Sequence, residues 1–232
     1  MKKLAIALAI SAVGSSALAA GAFDGPYAQV GIGGVSTEVK TNYNDPVYGV
    51  LNQYLGFNQN ATSSGGSFIG QILGGYSQSI DRFNIAGNIF YNIGNQNAGT
   101  NSFGASGGGY ALSMSQGFKL KNTWGLSVEP GFYVADKTLG YLKFSWFNAS
   151  LDTTPALALS TPSVSVGAST NTSNTVNGAG FGIGAKQMFT DNIFGFVEYQ
   201  YVTYGSVSDN NTVGANYKPN QNYGLVGVGY KF

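Results

Sequence analysis

The run FNIAGNIFYNI at residues 83–93 alternates without a break. Phe83, Ile85, Ile89, Tyr91 and Ile93 fall on one parity, and Asn84, Asn88 and Asn92 on the other. A strand points successive side chains to opposite faces, so this run has an apolar face and an amide face. A helix would repeat near 3.6 instead. The same period recurs at 27–39, 68–80, 110–134, 139–148, 179–189, 193–204 and 222–232, which makes eight expected strands. In the longest, Leu112, Met114, Phe118, Leu120, Trp124, Leu126, Val128, Phe132 and Val134 share the apolar parity. Pro130 cannot donate to a ladder, so a kink or bulge is expected there.

The joins alternate in length. Those at 40–66, 94–109, 149–178 and 205–221 are long and rich in Asn, Ser, Thr and Gly. Those at Asp81-Arg82, Asp136-Lys137 and Asp191-Asn192 are tight. Strict alternation of long and short joins is the layout of an all-β, antiparallel up-and-down barrel.

Which face meets water is decided by charge. Only 9% of the chain is charged, with mean hydropathy near zero; a soluble globule carries about a quarter. Lys119, Lys121, Glu129, Lys143, Lys186, Glu198 and Lys231 all fall opposite the apolar parity, leaving no second charged face. The expectation is a polar lumen and an apolar, lipid-facing exterior, which is a transmembrane barrel. A soluble, ligand-binding barrel of lipocalin type is the competitor. Backbone groups in lipid must be paired, which closure achieves. Trp124, Tyr76, Tyr199, Tyr201 and Tyr230 suit aromatic girdles.

The start of the chain agrees with export. MKKLAIALAISAVGSSALAA carries two lysines, an apolar run and the small-residue motif Ala17-Leu18-Ala19, as a cleaved signal peptide does. The expected division is a signal peptide at 1–20 and a barrel domain at 21–232, the cut falling between Ala19 and Ala22. Loss of Lys2 and Lys3 leaves 9 basic against 10 acidic residues, which gives no nucleic-acid signature.

The chain runs to NYGLVGVGYKF, with Val226, Val228, Tyr230 and Phe232 on the apolar parity. This resembles the C-terminal signature of bacterial outer-membrane proteins. PYAQVGIGG at 26–34, WGLSVEPGFYVADKTLGYLKFSW at 124–146 and TDNIFGFVEYQYVTYG at 190–205 complete the likeness. Together these segments resemble the small OmpA-like/OmpX-like outer-membrane β-barrel family, which includes opacity-type and porin-family surface proteins. The resemblance implies an eight-stranded barrel in the outer membrane of a Gram-negative cell, both termini in the periplasm. It also implies a last strand read by the barrel-assembly machinery. The peptidoglycan-binding domain of the two-domain relatives is not carried over, because this chain stops at the barrel.

Chemistry is sparse. There is no Cys and no His, so a thiolate metal site and a His-dependent proton relay are both excluded. Small-barrel acyltransferases, deacylases and aspartate–histidine proteases lean on that His. The expectation is therefore no enzyme, no cofactor and no metal. The glycines at 180, 182 and 184 recur every second residue, marking one strand face and not a phosphate loop. The inward charges need partners. A turn centred on Asp136 sets Glu129 across from Lys143, and one centred on Asn192 sets Lys186 across from Glu198. The network reads as a lumen plug; the alternative is a narrow channel for ions or very small solutes.

The long joins are where a partner would bind. In 41–66, Tyr43, Tyr48, Tyr54 and Phe57 are contact candidates for a surface ligand or the outer leaflet; a turn of helix over the mouth at 47–55 is the other reading. The join at 149–178 reads either as a mobile loop or as a hairpin extending its two strands. The expected role is structural and interfacial: envelope integrity, and contact or adhesion through the loops.

Overall fold

A computed structural model describes residues 21–43, 60–209 and 215–232. Its elements are β1 (Gly25–Tyr43), β2 (Asn60–Ile80), β3 (Phe83–Ile93), β4 (Gln96–Gly107), β5 (Tyr110–Ala135), β6 (Thr138–Ser160), β7 (Ser165–Ser169), β8 (Thr172–Met188), β9 (Ile193–Tyr204), β10 (Val207–Asp209) and β11 (Ala215–Lys231). Eight of them form an antiparallel ring in the order β1, β2, β3, β5, β6, β8, β9, β11. The seam closes where β1 meets β11, from Tyr27↔Lys231 to Tyr43↔Ala215. All eight strands expected from the alternation are members of this ring.

The outer wall carries the apolar parity. Val30, Ile32, Ile72, Ile89, Leu126, Phe144, Ile183, Val197, Val226 and Val228 are each about half exposed. An apolar surface running right round a chain is far larger than the patches that soluble monomers show. Aromatic side chains border it. Trp124 and Trp146 meet edge to face at 5.3 Å on one side, and Phe83 and Phe132 at 5.4 Å on the other. The fold is that of a transmembrane barrel. A tilted strand crosses a bilayer core in about 9–11 residues, whereas β5 has 26, β6 has 23 and β2 has 21. The surplus lies at the end with the long joins.

Two of those joins are therefore largely strand. Residues 96–107 form β4, set off from β3 by Gly94 at φ 114°. β4 pairs with β5 from Gln96↔Leu120 to Gly107↔Tyr110. It is also tied to β2 by Ser63 Oγ donating to the Ala98 carbonyl and Asn97 N–H donating to Ser67 Oγ. Residues 149–178 form a hairpin: β6 runs on to Ser160 and pairs with β7, and β8 begins at Thr172. β5 pairs with β6 up to Ala111↔Ser160, so β4, β5, β6 and β7 make one sheet above the barrel rim. Of the other two long joins, residues 44–59 and 210–214 lie outside the described residues, and Val207–Asp209 form β10, paired with β11.

One expectation fails inside β5. The register with β6 shifts between Lys121 and Trp124, with one extra residue on β5, and Asn122 takes φ 50°. A one-residue bulge exchanges the two faces of a strand. Phe118 and Leu120 thus point inward, 2% and 0% exposed, while Trp124, Leu126 and Val128 point outward. Lys119 and Lys121 lie on the outer wall, not in the lumen; Lys121 pairs with Asp152 at 2.5 Å. Pro130 is opposite Ile85 with the β3 register intact on both sides, so no register shift falls there.

The small inward residues make room for rings. A Cβ on Gly184 would fall 2.3 Å from a Tyr141 ring carbon, and one on Gly229 would fall 2.1 Å from Phe194. On the outer wall at Gly34 nothing lies within 4 Å. Gly184→Ala is therefore expected to cost about 1–3 kcal/mol by overpacking, and Gly34→Ala to change stability by less than about 0.5 kcal/mol. Urea unfolding in lipid vesicles measures both; equal effects would contradict this packing.

Candidate functional site: the lumen

An eight-stranded barrel is just wide enough for side chains to fill it. The filling here is built in layers. Midway along the lumen lie Glu129 from β5, Lys143 from β6, Lys186 from β8 and Glu198 from β9, none more than 3% exposed. Strand alternation places all four inward from neighbouring strands. Lys143 Nζ lies 3.2 Å from Glu129 Oε1 and donates to Glu198 Oε2 at 2.9 Å. Lys186 Nζ donates to Glu129 Oε2 at 2.6 Å. The layer is a chain, Lys186–Glu129–Lys143–Glu198, with two charges of each sign.

Sequence spacing anticipated Glu129 with Lys143, and the two are in contact. It set Lys186 across from Glu198, and here the register differs. Across β8 and β9 the partners are Lys186↔Phe196 and Gly184↔Glu198, because the 189–192 turn centres one residue earlier. Lys186 reaches Glu129 instead. Lys231 is not in the layer; it lies at the turn end, where its Nζ donates to the Ala22 carbonyl at 2.8 Å.

Aromatic and amide groups complete the charge layer. Lys186 Nζ lies 4.7 Å from the Tyr27 ring centre and 4.8 Å from that of Tyr141, in cation–π range. Tyr141 donates to Glu198 Oε2 at 2.9 Å. Tyr27 donates to Asn88, whose amide donates to Ser127 at 3.1 Å. Nothing in the sequence pattern singled out Tyr27 or Tyr141, although both share the inward parity of their strands.

Towards the loop end the lumen is filled by rings. Phe90 and Phe147 meet at 5.0 Å, Phe147 stacks on Tyr223 at 5.8 Å, and Phe118 meets Tyr217 at 5.2 Å. Gln221 is the polar centre there, accepting from Tyr204 at 2.8 Å and donating to Thr37 at 2.8 Å. The interior is thus not the uniformly polar face that the alternation suggests. Val39, Ile69, Leu120, Leu151 and Leu225 are buried in it as well.

The remaining sequence candidates lie elsewhere. Val226, Val228, Tyr230 and Phe232 are exposed on the outer wall. Tyr43 ends β1 opposite Ala215. Tyr48, Tyr54, Phe57 and residues 1–20, the expected signal peptide, lie outside the described residues. Among the described residues, no group of three or more His, Cys, Asp or Glu side chains is placed to hold a metal ion.

No protein-family model matches the chain, and no curated protein matches it. Solved structures do. Ail, the attachment invasion locus protein of Yersinia pestis, is 12% identical, with 90% of this chain and 99% of that one covered at a TM-score of 0.38. The outer-membrane protease OmpT of Escherichia coli is 11% identical, covering 90% and 97% at 0.38. The outer-membrane protein OprG of Pseudomonas aeruginosa is 10% identical, covering 91% and 98% at 0.35. At these identities the likeness is one of fold alone.

The two kinds of ion pair should separate cleanly in stability. Lys143→Met strands Glu198 and weakens Glu129, and removing one member of a buried network costs about 3–5 kcal/mol. Lys121 is 37% exposed on the outer wall, so Lys121→Ala should cost less than about 1 kcal/mol. Reversible unfolding in vesicles tests this; a Lys143→Met variant as stable as Lys121→Ala would contradict the layer's role.

Proposed function

We propose that this chain is an outer-membrane barrel with a sealed lumen, serving envelope integrity and surface contact and carrying no catalytic activity. The observation that carries the reading is the neutral ionic layer across the lumen, buried and flanked by rings. An inward charge in a narrow apolar passage is tolerable when paired, and a paired, ring-packed layer leaves no path for water.

In this reading the leader directs export and is removed, the turn end faces the periplasm, and the long joins face outward. The last strand, with Val226, Val228, Tyr230 and Phe232 outward, is the segment offered to the barrel-assembly machinery. Surface contact falls to the joins and to the sheet of β4, β5, β6 and β7. That sheet rises past the aromatic border and exposes Leu157, Leu159, Val164 and Val166. Scattered apolar groups on a rigid sheet suit contact with a protein or glycan surface better than turnover of a substrate, which needs a concave site.

Planar-bilayer recording tests the seal. The wild-type barrel is expected to give no reproducible conductance steps. Reproducible conductance that changes in Glu129→Gln or Lys143→Met would replace this reading with a narrow channel gated by the layer.

A further inference from the structure

The turn-end mouth is closed by a segment that the ionic layer does not involve. Residues 21–24 form a tight turn: Asp24 N–H donates to the Gly21 carbonyl at 3.0 Å, and Gly21 N–H donates to Asp24 Oδ2 at 2.7 Å. The turn drives Phe23 up into the mouth, where it is 4% exposed. Its ring centre lies 5.6 Å from Phe194 and 6.1 Å from Tyr133, and its N–H donates to Tyr133 Oη at 3.1 Å. Lys231 holds the Ala22 carbonyl from the opposite side. The fit is closest at Gly21, where a Cβ would fall 2.3 Å from Ser79 Oγ and 2.6 Å from Tyr133 Oη.

Above Phe23 remains a cavity of about 10 Å³, room for about one water. Its walls include Tyr27, Ser77, Lys186 and Lys231. Phe23, buried at the turn-end mouth, thus lines the same small cavity as Lys186 of the ionic layer.

This arrangement bears on where the leader is cut. Two small-x-small motifs precede Phe23, Ala17-Leu18-Ala19 and Ala20-Gly21-Ala22, and each suits a signal peptidase. Cutting after the second would make Phe23 the first residue. That would remove the acceptor of Lys231 and the Gly21–Asp24 turn. It would also put an ammonium charge on a nitrogen now buried against a phenol oxygen, an unfavourable place for a cation. Asp24 favours the other choice. Its Oδ1 is buried without a hydrogen-bond partner, while Oδ2 takes only the Gly21 N–H. An α-ammonium at Gly21 supplies the charge and the extra N–H that this carboxylate lacks.

We infer that leader processing stops upstream of Gly21, so that the mature chain begins at Ala20 or Gly21 and keeps residues 21–24 as a stopper in the turn-end mouth. The inference rests on the export reading above, and the mass of the protein isolated from membranes separates the two. A chain starting at Ala20 or Gly21 is expected. A chain starting at Phe23 overturns the stopper while leaving export intact. An uncut chain overturns both.

Accessibility tests the stopper itself. The chain has no cysteine, so Ser77→Cys reports on the cavity and Asp136→Cys on an exposed turn. In folded barrels with matching circular dichroism, Phe23→Ala should speed reaction of Ser77→Cys with a small water-soluble methanethiosulfonate by about tenfold or more, the gain expected when a closed site opens. The rate at Asp136→Cys should not change. Phe23→Leu, which keeps the apolar fill, should stay slow. Equal Ser77→Cys rates with and without Phe23 would overturn the stopper.

Discussion

Every backbone N–H and C=O in an apolar surround has to find a partner, and in this chain that requirement is met by closing the sheet. The β1–β11 seam joins the first and last strands over a long, unbroken register from Tyr27↔Lys231 to Tyr43↔Ala215. With it closed, no ring strand has a free edge at the level of the apolar belt, and the belt can face lipid. Everything else follows from that. Closure with eight strands fixes the lumen width, the lumen width demands filling, and alternation assigns which side chains do the filling.

Filling a narrow tube with both rings and charges is a packing problem with an electrostatic condition. The rings are accommodated by glycine on facing strands, as Gly184 beneath Tyr141 and Gly229 beneath Phe194 show. The charges are accommodated by pairing them in one layer. Glu129 serves both lysines and Lys143 serves both glutamates, so losing one member disturbs the rest. A buried ionic chain of this kind is weak evidence for net stability against an apolar replacement. What it does provide is a cross-section in which two lysines and two glutamates balance one another.

The ring strands were legible because apolar residues recur at every second position along them; the pattern at 83–93 survives intact as β3. What escaped the pattern had specific causes. Asn122 inserts one residue and reverses the faces of β5, and nothing in the apolar spacing of Phe118, Leu120, Trp124 and Leu126 betrays it, because buried and lipid-facing residues are both apolar. That is why Lys119 and Lys121 were placed inside. β4 and β7 are mostly Gly, Ser, Ala and Asn, without a sustained apolar alternation, so 94–109 reads as a loop and 149–178 as a loop or a hairpin; pairing with β5 and β6 makes both segments strands. In the lumen, Glu129 faces Lys143 because the register shifts by one residue between Tyr133 and Ala135, next to the Asp136-Lys137 turn, whereas Lys186 depends on where a four-residue bend centres. Phe23 lies outside any alternating run, and its burial comes from a turn closed by Asp24.

A closed barrel whose apolar wall meets a membrane has a signature on a denaturing gel. Outer membranes are isolated and extracted in mild detergent, and unheated protein is compared with boiled. The protein is expected in the membrane fraction, resistant to the detergent cold and shifted in mobility on boiling. A protein soluble in the periplasm, with the same mobility before and after boiling, would mean that the apolar face lies inside and the barrel does not span a membrane.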